Sequence, residues 1–504
     1  AAERPSPGAS CSLQRGGGDF AVDARSAHDV FHGDVHWGFG ESQYNMPSKA
    51  SAAAHDALAH FRTIGAKVLD WHRTLSESCS PREAQPGDRE LDGSCFEGLG
   101  AAASEARRWV GFARRRSGQM ESEGGAPALG DLPAIVAHHW RALGGLLNRT
   151  LAVAGRPATL WRPPCNHRSV WAPLAESSLA VADQWGELAV VLCRQVELVR
   201  WHLTFHLLLE VFKRTGQEED LPPMVFHDHC CTNAEVIFGI ASSAGLLDAP
   251  PPLAGDASTG VHGDGGETAW GATLVEVGVE SGFTSQRLLE LLPAHVRLVG
   301  LDPFAYDSSV ELSTEERWQR KELSSRYSSA WLDSLATDVA RRYAAARPLG
   351  RARLLRQGSP GAAGDPLFRP HSSGSNEKRG TKQHDAWGSD FVFVDGDHSF
   401  VAVQRDIEAW LGLLCKQQQG QPLGQSGVSP ARILAGHDFT FMFPGVLSAV
   451  VDLAKNLSSA RHSSLAGQPS LSLHLAANSV WWLSLPGDSA CEAAAAAKAL
   501  AAGA

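Results

Sequence analysis

The apolar positions of this chain change period once. Over residues 51–75 and 131–153 they recur at every third and fourth position, as in Leu58, Phe61, Ile64, Val68 and Trp71, the spacing that gives a helix one buried face. A longer helical pattern covers 174–214 and a shorter one 233–246. Between the first two, residues 76–130 are rich in Ser, Gly and Glu and carry Arg114, Arg115 and Arg116, the composition of a disordered surface excursion. Residues 1–250 therefore read as a mainly helical region of unassigned role. The Pro/Gly-rich stretch at 251–270 reads as a linker and as the domain boundary.

Beyond it, short apolar runs at 273–277, 296–301, 353–355, 391–394 and 432–435 alternate with helical segments. That alternation is the signature of repeated strand-helix units and a parallel sheet, and continuous apolarity fits strands covered on both faces. Phe400, Val403, Ile407, Trp410, Leu411 and Leu414 form one helical stripe, and Val446, Val450, Leu453 and Leu457 another, opened by Pro444 in a first turn. Runs at 471–475 and 479–485, separated by Ala-Ala-Asn, suit two strands joined by a tight turn. Insertions at 361–388 and 416–430 are expected to be mobile loops, and 488–504 a frayed Ala-rich tail. The fold class expected is α/β over 271–487.

A length of 504 residues favours two units over one core. Hydrophobic residues at 43% and charged residues at 20% describe a globular chain. The formal net charge of −10 and the lack of a basic stripe point away from nucleic acid and towards a small-molecule or protein substrate. The apolar stretch 188–212 is interrupted by Arg194, Glu197, Arg200 and Glu210, so it reads as a buried helix and not a membrane span. The chain starts at Ala1 and shows no secretory signal, which leaves an upstream segment open and a cytoplasmic location as the default expectation. Nine scattered cysteines without a C-x-x-C pair signal neither a disulfide framework nor a zinc ribbon. His28, His32 and His36, and the run His227 to Cys231 with Cys165 and His167, lack the spacing of a tetrahedral site, so zinc is not assigned.

The run at 273–277 passes into Glu276-Val-Gly278-Val-Glu280-Ser-Gly282 and then a helix, with Thr284 or Ser285 as its expected cap. Gly278 and Gly282 let a ligand approach the backbone. The G-x-G-x-x-G pattern of a dinucleotide site is absent. Glu276 and Glu280 would repel a pyrophosphate but attract the sulfonium and ammonium of S-adenosylmethionine. Asp302 ends the next run in Gly-Leu-Asp-Pro-Phe, where an α/β nucleotide fold holds ribose hydroxyls.

Further on, Phe-Val-Phe-Val-Asp395-Gly-Asp397-His398-Ser-Phe and Leu-Ala-Gly-His437-Asp438-Phe close two apolar runs. With these motifs, 271–485 resembles the class I S-adenosylmethionine-dependent methyltransferases, in the branch similar to macrocin-type sugar O-methyltransferases and cephalosporin-hydroxylase-like proteins. Phe400 stands where that branch usually has Tyr. The resemblance implies a Rossmann-like, mostly parallel seven-stranded sheet with helices on both faces. It implies Gln357, Gly358 and Ser359 near the adenine ring, though a simple turn also explains those three residues. It places Asp395 and Asp438 on adjacent strands, about 4.8 Å apart in the pairing direction. A hard ion such as Mg2+ suits two carboxylates, with Asp397 or His437 completing or flanking the site. For Asp397 and Ser399 a helix cap is an equal explanation.

The activity implied is metal-assisted methylation of a small-molecule hydroxyl, with Asp395, His398 or His437 as the proton acceptor. Two rivals stay open. One is a non-catalytic nucleoside-binding module. The other is a hydroxylase-like relative, whose metal site of two imidazoles and one carboxylate would use His398, His437 and Asp438.

Overall fold

The computed structural model describes residues 48–79, 93–123, 132–158, 171–216, 224–227, 233–248, 271–305, 328–346, 350–368, 387–419, 432–462, 473–476 and 479–485. The chain divides into two compact units. The first contains helices α1 (Ser48–Cys79), α2 (Gly93–Glu123), α3 (Leu132–Ala158) and α4 (Trp171–Thr215) up to Val211. Its core is aromatic. Phe61 stacks on Trp140 at 4.3 Å, Phe112 meets the same indole edge-on at 5.4 Å, and Trp71 packs edge-on against Trp185 at 5.4 Å.

Helix α2 corrects the expected excursion at 76–130. Its inward stripe is Ala102, Ala106, Val110, Ala113 and Ser117, all buried. These side chains are too small to register as hydrophobic periodicity, yet their size lets α3 come close: a Cβ at Gly144 would lie 3.6 Å from that of Ala113. Arg114 and Arg115 remain exposed on the outer side. In the same unit His139 is buried and hydrogen-bonds His202 at 2.9 Å and Gln195 at 2.6 Å. Burial, reinforced by the neighbouring imidazoles, lowers its pKa to about 3, so it packs as a neutral ring. No described helix is long and apolar enough to cross a membrane.

The second unit, which takes in Phe212 and most of the chain after it, is built on one sheet of eight strands. They are β1 (Met224–His227), β2 (Thr273–Val277), β3 (Arg297–Leu301), β4 (Ala352–Leu355), β5 (Phe391–Val394), β6 (Arg432–Gly436), β7 (Leu473–Ala476) and β8 (Val480–Leu485). Their order is β1-β7-β8-β6-β5-β2-β3-β4. Strands β2 to β6 run parallel, and β8 is antiparallel to both β6 and β7. The strand runs read from the sequence are these seven. The eighth, β1, adds parallel to β7 at the edge. It and helix α5 (Asn233–Ser243) lie upstream of 251–270, so the sheet unit begins before the boundary read from the Pro/Gly stretch.

Helices α5, α6 (Phe283–Leu291) and α7 (Ser329–Ala345) share a core with the sheet, through Ile237, Leu288 and Val339 against Leu274, Leu298 and Phe391. Helix α9 (Phe400–Gln419) packs on β5, β6 and helix α10 (Pro444–His462). The two expected loops are partly ordered. Helix α8 (Ser359–Ala362) and a single 3-10 turn, Pro366–Phe368, occupy the start of the first, with Phe368 buried edge-on against Trp410 at 5.2 Å. Residues 416–419 simply extend α9. The remainder of both insertions and the tail at 488–504 lie outside the described residues. So do the histidines and cysteines weighed for zinc, apart from the backbone of His227 in β1. Cys193 is buried, whereas Cys415 on α9 is disulfide-bonded, a pairing that the scattered spacing did not signal.

The carbonyls at the end of α6 are satisfied by one side chain from the start of β4. Arg351 donates to the Leu292 carbonyl at 2.9 Å, to that of Pro293 at 3.2 Å and to that of Leu289. A hydrogen bond to a charged group nets about 1.5–3 kcal/mol, and at this partly exposed place water recovers much of what three such bonds would lose. Arg351→Ala is therefore expected to lower the unfolding free energy by about 1–3 kcal/mol in urea denaturation, and an unchanged midpoint would mean that water replaces the guanidinium without loss.

Candidate functional site

The parallel strands β2, β3, β5 and β6 end along one edge, and the site is built where they stop. After β2, Gly278 takes φ 85° and donates its N–H to the Leu301 carbonyl at 2.8 Å. A Cβ there would overlap the Asp395 carbonyl oxygen, so glycine is needed both for its left-handed backbone and for this close approach. Gly282, at φ 71°, is the N-cap of α6 and has no side-chain capping bond. Thr284 and Ser285, the expected caps, lie inside the helix, because the left-handed glycine starts it earlier.

Ser285 serves a different group. Its buried hydroxyl donates to Glu276 Oε2 and accepts from the Tyr343 hydroxyl at 2.8 Å. Glu276 is only 2% exposed. Burial raises its pKa from 4.5 to about 8, against the lowering effect of the Ser285 bond and with help from the charges of Asp395 and Asp302. With this pKa Glu276 is largely a protonated acid beneath the turn near neutral pH, which differs from the negative charge expected there. Glu280, at φ 42°, is exposed. Since the unfolded chain ionises Glu276 near pH 4.5 and the folded one near pH 8, stability present below the lower value is lost as pH rises towards the upper. Glu276→Gln is expected to flatten that decline, which is on the order of a few kcal/mol in the wild type. Urea denaturation at both ends of the range measures it, and equal slopes in the two proteins would place the proton elsewhere.

Asp302 lies at the end of β3 with both oxygens engaged. Oδ2 accepts from Glu280 N at 2.8 Å and Oδ1 from Phe304 N at 2.6 Å. Glu280 and Phe304 are both left-handed, with φ 42° and 46°, so one carboxylate holds two unfavourable backbone turns. Burial raises its pKa, only partly offset by these backbone donors and by the Arg356 charge. Val279 donates to the same carboxylate from its backbone N–H, so of the roughly four lone-pair sites about one is left for a ligand. After β4, Gln357 and Gly358 are exposed. Ser359 is not presented in the same way: its hydroxyl is buried and accepts from Trp410 Nε1 at 2.8 Å.

The second half of the site joins the ends of β5 and β6. One ligand atom each from Asp395, His437 and Asp438 lies within 4.8 Å of the others. His437 Nδ1 is 3.4 Å from Asp395 Oδ1 and 3.2 Å from Asp438 Oδ1. His398 Nε2 lies 2.8 Å from the other oxygen of Asp438. Burial lowers the pKa of each imidazole, but the facing carboxylates outweigh it, so His398 is raised and His437 raised well above the usual value. Burial pushes Asp438 up, yet the two imidazoles bring it well below the usual carboxylate range. Asp397 does not join the cluster. Its Oδ1 accepts from Ser399 N at 2.8 Å, and Ser399 Oγ accepts from Ala402 N at 3.4 Å, so the pair caps α9. His398 is held from below: its ring packs on Phe443 at 4.4 Å, and a Cβ at Gly445 would overlap the His398 carbonyl oxygen.

The two halves meet at the Gly278 contact with Asp395 and Gly396. A buried acid that the sequence reading missed supports both loops. Asp406, 6% exposed on α9, takes a hydrogen bond from Ser359 and lies against Gly396, and burial raises its pKa to about 6. The signal was present in the stripe Val403, Asp406, Ile407, Trp410, where an acid occupies an inward helical position.

Residues 275–417 match the family described as a methyltransferase domain. The match supports a class I S-adenosylmethionine-dependent methyltransferase. It runs from within β2 to near the end of α9, so the matched stretch contains the glycine turn, Asp302, Asp395 and His398, while His437 and Asp438 after β6 lie beyond it. No curated protein matches the chain. The sheet, parallel but for β8 and flanked by helices, is consistent with the Rossmann-like methyltransferase fold.

Proposed function

We propose that this methyltransferase transfers its methyl group to a hydroxyl of a small molecule, with a divalent ion at the strand ends. The observation that carries the reading is the convergence of Asp395, His437 and Asp438 beside the glycine turn. Backbone atoms of 278–282, the remaining acceptor capacity of Asp302, and Gln357 and Gly358 would hold the donor. Transfer forms an oxygen–methyl bond as the sulfur–methyl bond breaks in line, and the hydroxyl proton must leave to a base. Asp395, His398 and His437 are the candidate bases, and His398 fits best. With Nε2–H donated to Asp438 at 2.8 Å, its Nδ1 carries the lone pair, and the carboxylate fixes the tautomer. His437 is less suited, since its Nδ1 is taken up by two carboxylates. Asp395, His437 and Asp438 would hold the ion, which supplies Lewis acidity to the acceptor hydroxyl when bound. The macrocin-type resemblance makes a sugar hydroxyl the first acceptor class to test. The hydroxylase-like alternative has less support, because the convergent group offers one imidazole and two carboxylates, not two imidazoles and one carboxylate. A purely binding module would have no use for the His398–Asp438 pair.

Calorimetry on the full chain is expected to show S-adenosylmethionine binding. Asp302→Asn, which keeps one acceptor oxygen for the backbone turns, should weaken it by about tenfold to a hundredfold. Wild-type affinity in a folded variant would remove Asp302 from the donor site.

A further inference from the structure

The strand-end cluster can be compared with what magnesium requires. Magnesium takes oxygen ligands in near-ideal octahedral geometry and parts with water reluctantly. The sequence led to Asp395 and Asp438, completed or flanked by Asp397 or His437, and the version with three carboxylates would suit it. The structure assembles a different set. Asp397 is turned to cap α9 through Ser399 N at 2.8 Å. In its place His437 Nδ1 stands 3.4 Å and 3.2 Å from the carboxylate oxygens of Asp395 and Asp438. Asp438 Oδ2 is already committed to His398 at 2.8 Å, which leaves Oδ1 facing the cluster. The convergent donors are therefore one imidazole nitrogen and two carboxylate oxygens, all within 4.8 Å of one another.

His437 is held in this position by the sheet. Its N–H donates to the Val394 carbonyl at 3.0 Å, which continues the β5–β6 pairing by one residue, and its side chain is only 17% exposed. The imidazole is thus a built part of the cluster. Nitrogen donors discriminate strongly between a hard ion and the first-row transition dications, whose affinities rise from manganese towards copper.

We propose that Asp395, His437 and Asp438 form a site that selects a first-row transition dication over magnesium. This rests on the metal-assisted reading above and names the class of ion for it. His437 is the selecting residue: the two carboxylates would bind either class, and the imidazole tips the preference.

The test uses the full chain with Co2+ and Mg2+ as probes, read by calorimetry and by the visible spectrum of bound Co2+, neither of which depends on turnover. Wild type is expected to bind Co2+ about a hundredfold or more tightly than Mg2+. His437→Asp should narrow that ratio by about tenfold or more and shift the visible bands as oxygen replaces nitrogen. His437→Gln, a second variant in case the first does not fold, should also weaken Co2+ more than Mg2+. Asp395→Asn should weaken both ions alike. Equal wild-type affinities, a ratio unchanged in the His437 variants, or Co2+ binding indifferent to Asp395→Asn would each overturn the proposal. Donor binding measured in the same samples separates the two levels. If S-adenosylmethionine binds but the ion ratio is flat, ion selection fails and the methyltransferase reading stands. If the ratio holds and the donor does not bind, the reverse is true.

Discussion

The turn after β2 rests directly on the backbone that ends β5, at a point where any side chain on Gly278 would strike the Asp395 carbonyl. This contact makes one site of two. The half organised by Asp302 and the left-handed residues it holds, and the acid-imidazole half organised by β5 and β6, meet through main chain at Gly278, Asp395 and Gly396. Because the contact is between backbone atoms, the separation of the two halves follows the β2–β5 register and does not depend on a rotamer. A reaction that needs two groups in line benefits from such a fixed spacing.

Around that contact the protein buries acids to an unusual extent. Glu276, Asp406 and Asp302 all have pKa values raised by burial, each with a hydroxyl or backbone donor against it. Asp438 shows the opposite balance, since two imidazoles stabilise its charge in an equally buried place. Negative charge is thus best stabilised on Asp438 at the end of β6, where the imidazoles face it. A desolvated acid costs less neutral than charged, so the distribution follows from where imidazoles are available.

Much of this was legible in the residues. The buried parallel strands announce themselves as unbroken apolar runs, and all five were found within a residue or two, as was the closing hairpin. Asp395, His398, His437 and Asp438 are near in sequence to strand ends, and adjacency of β5 and β6 brings them together. Other features left no trace of the right kind. Helix α2 hides its inward face in alanines, which carry little hydrophobic contrast. Strand β1 has four residues, Val225 among them exposed, and takes its identity from pairing with β7. The protonation of Glu276 depends on burial under a turn, and the choice of His437 over Asp397 depends on which side chain caps the helix. Both are decided in three dimensions by groups distant in sequence, such as Ser285 and Tyr343 for the former.

Strand β1 also bears on how the chain reaches this state. Met224 to His227 are paired with Leu473 to Ala476, about 250 residues later. The order of the edge is thus inverse to the order of synthesis: a short segment made before the rest of the sheet must wait for one of the last to emerge. Closing so long a loop gives few local contacts in return. During translation the early segment is left with an unpaired backbone, and its docking becomes a late step, coupled to the emergence of β7.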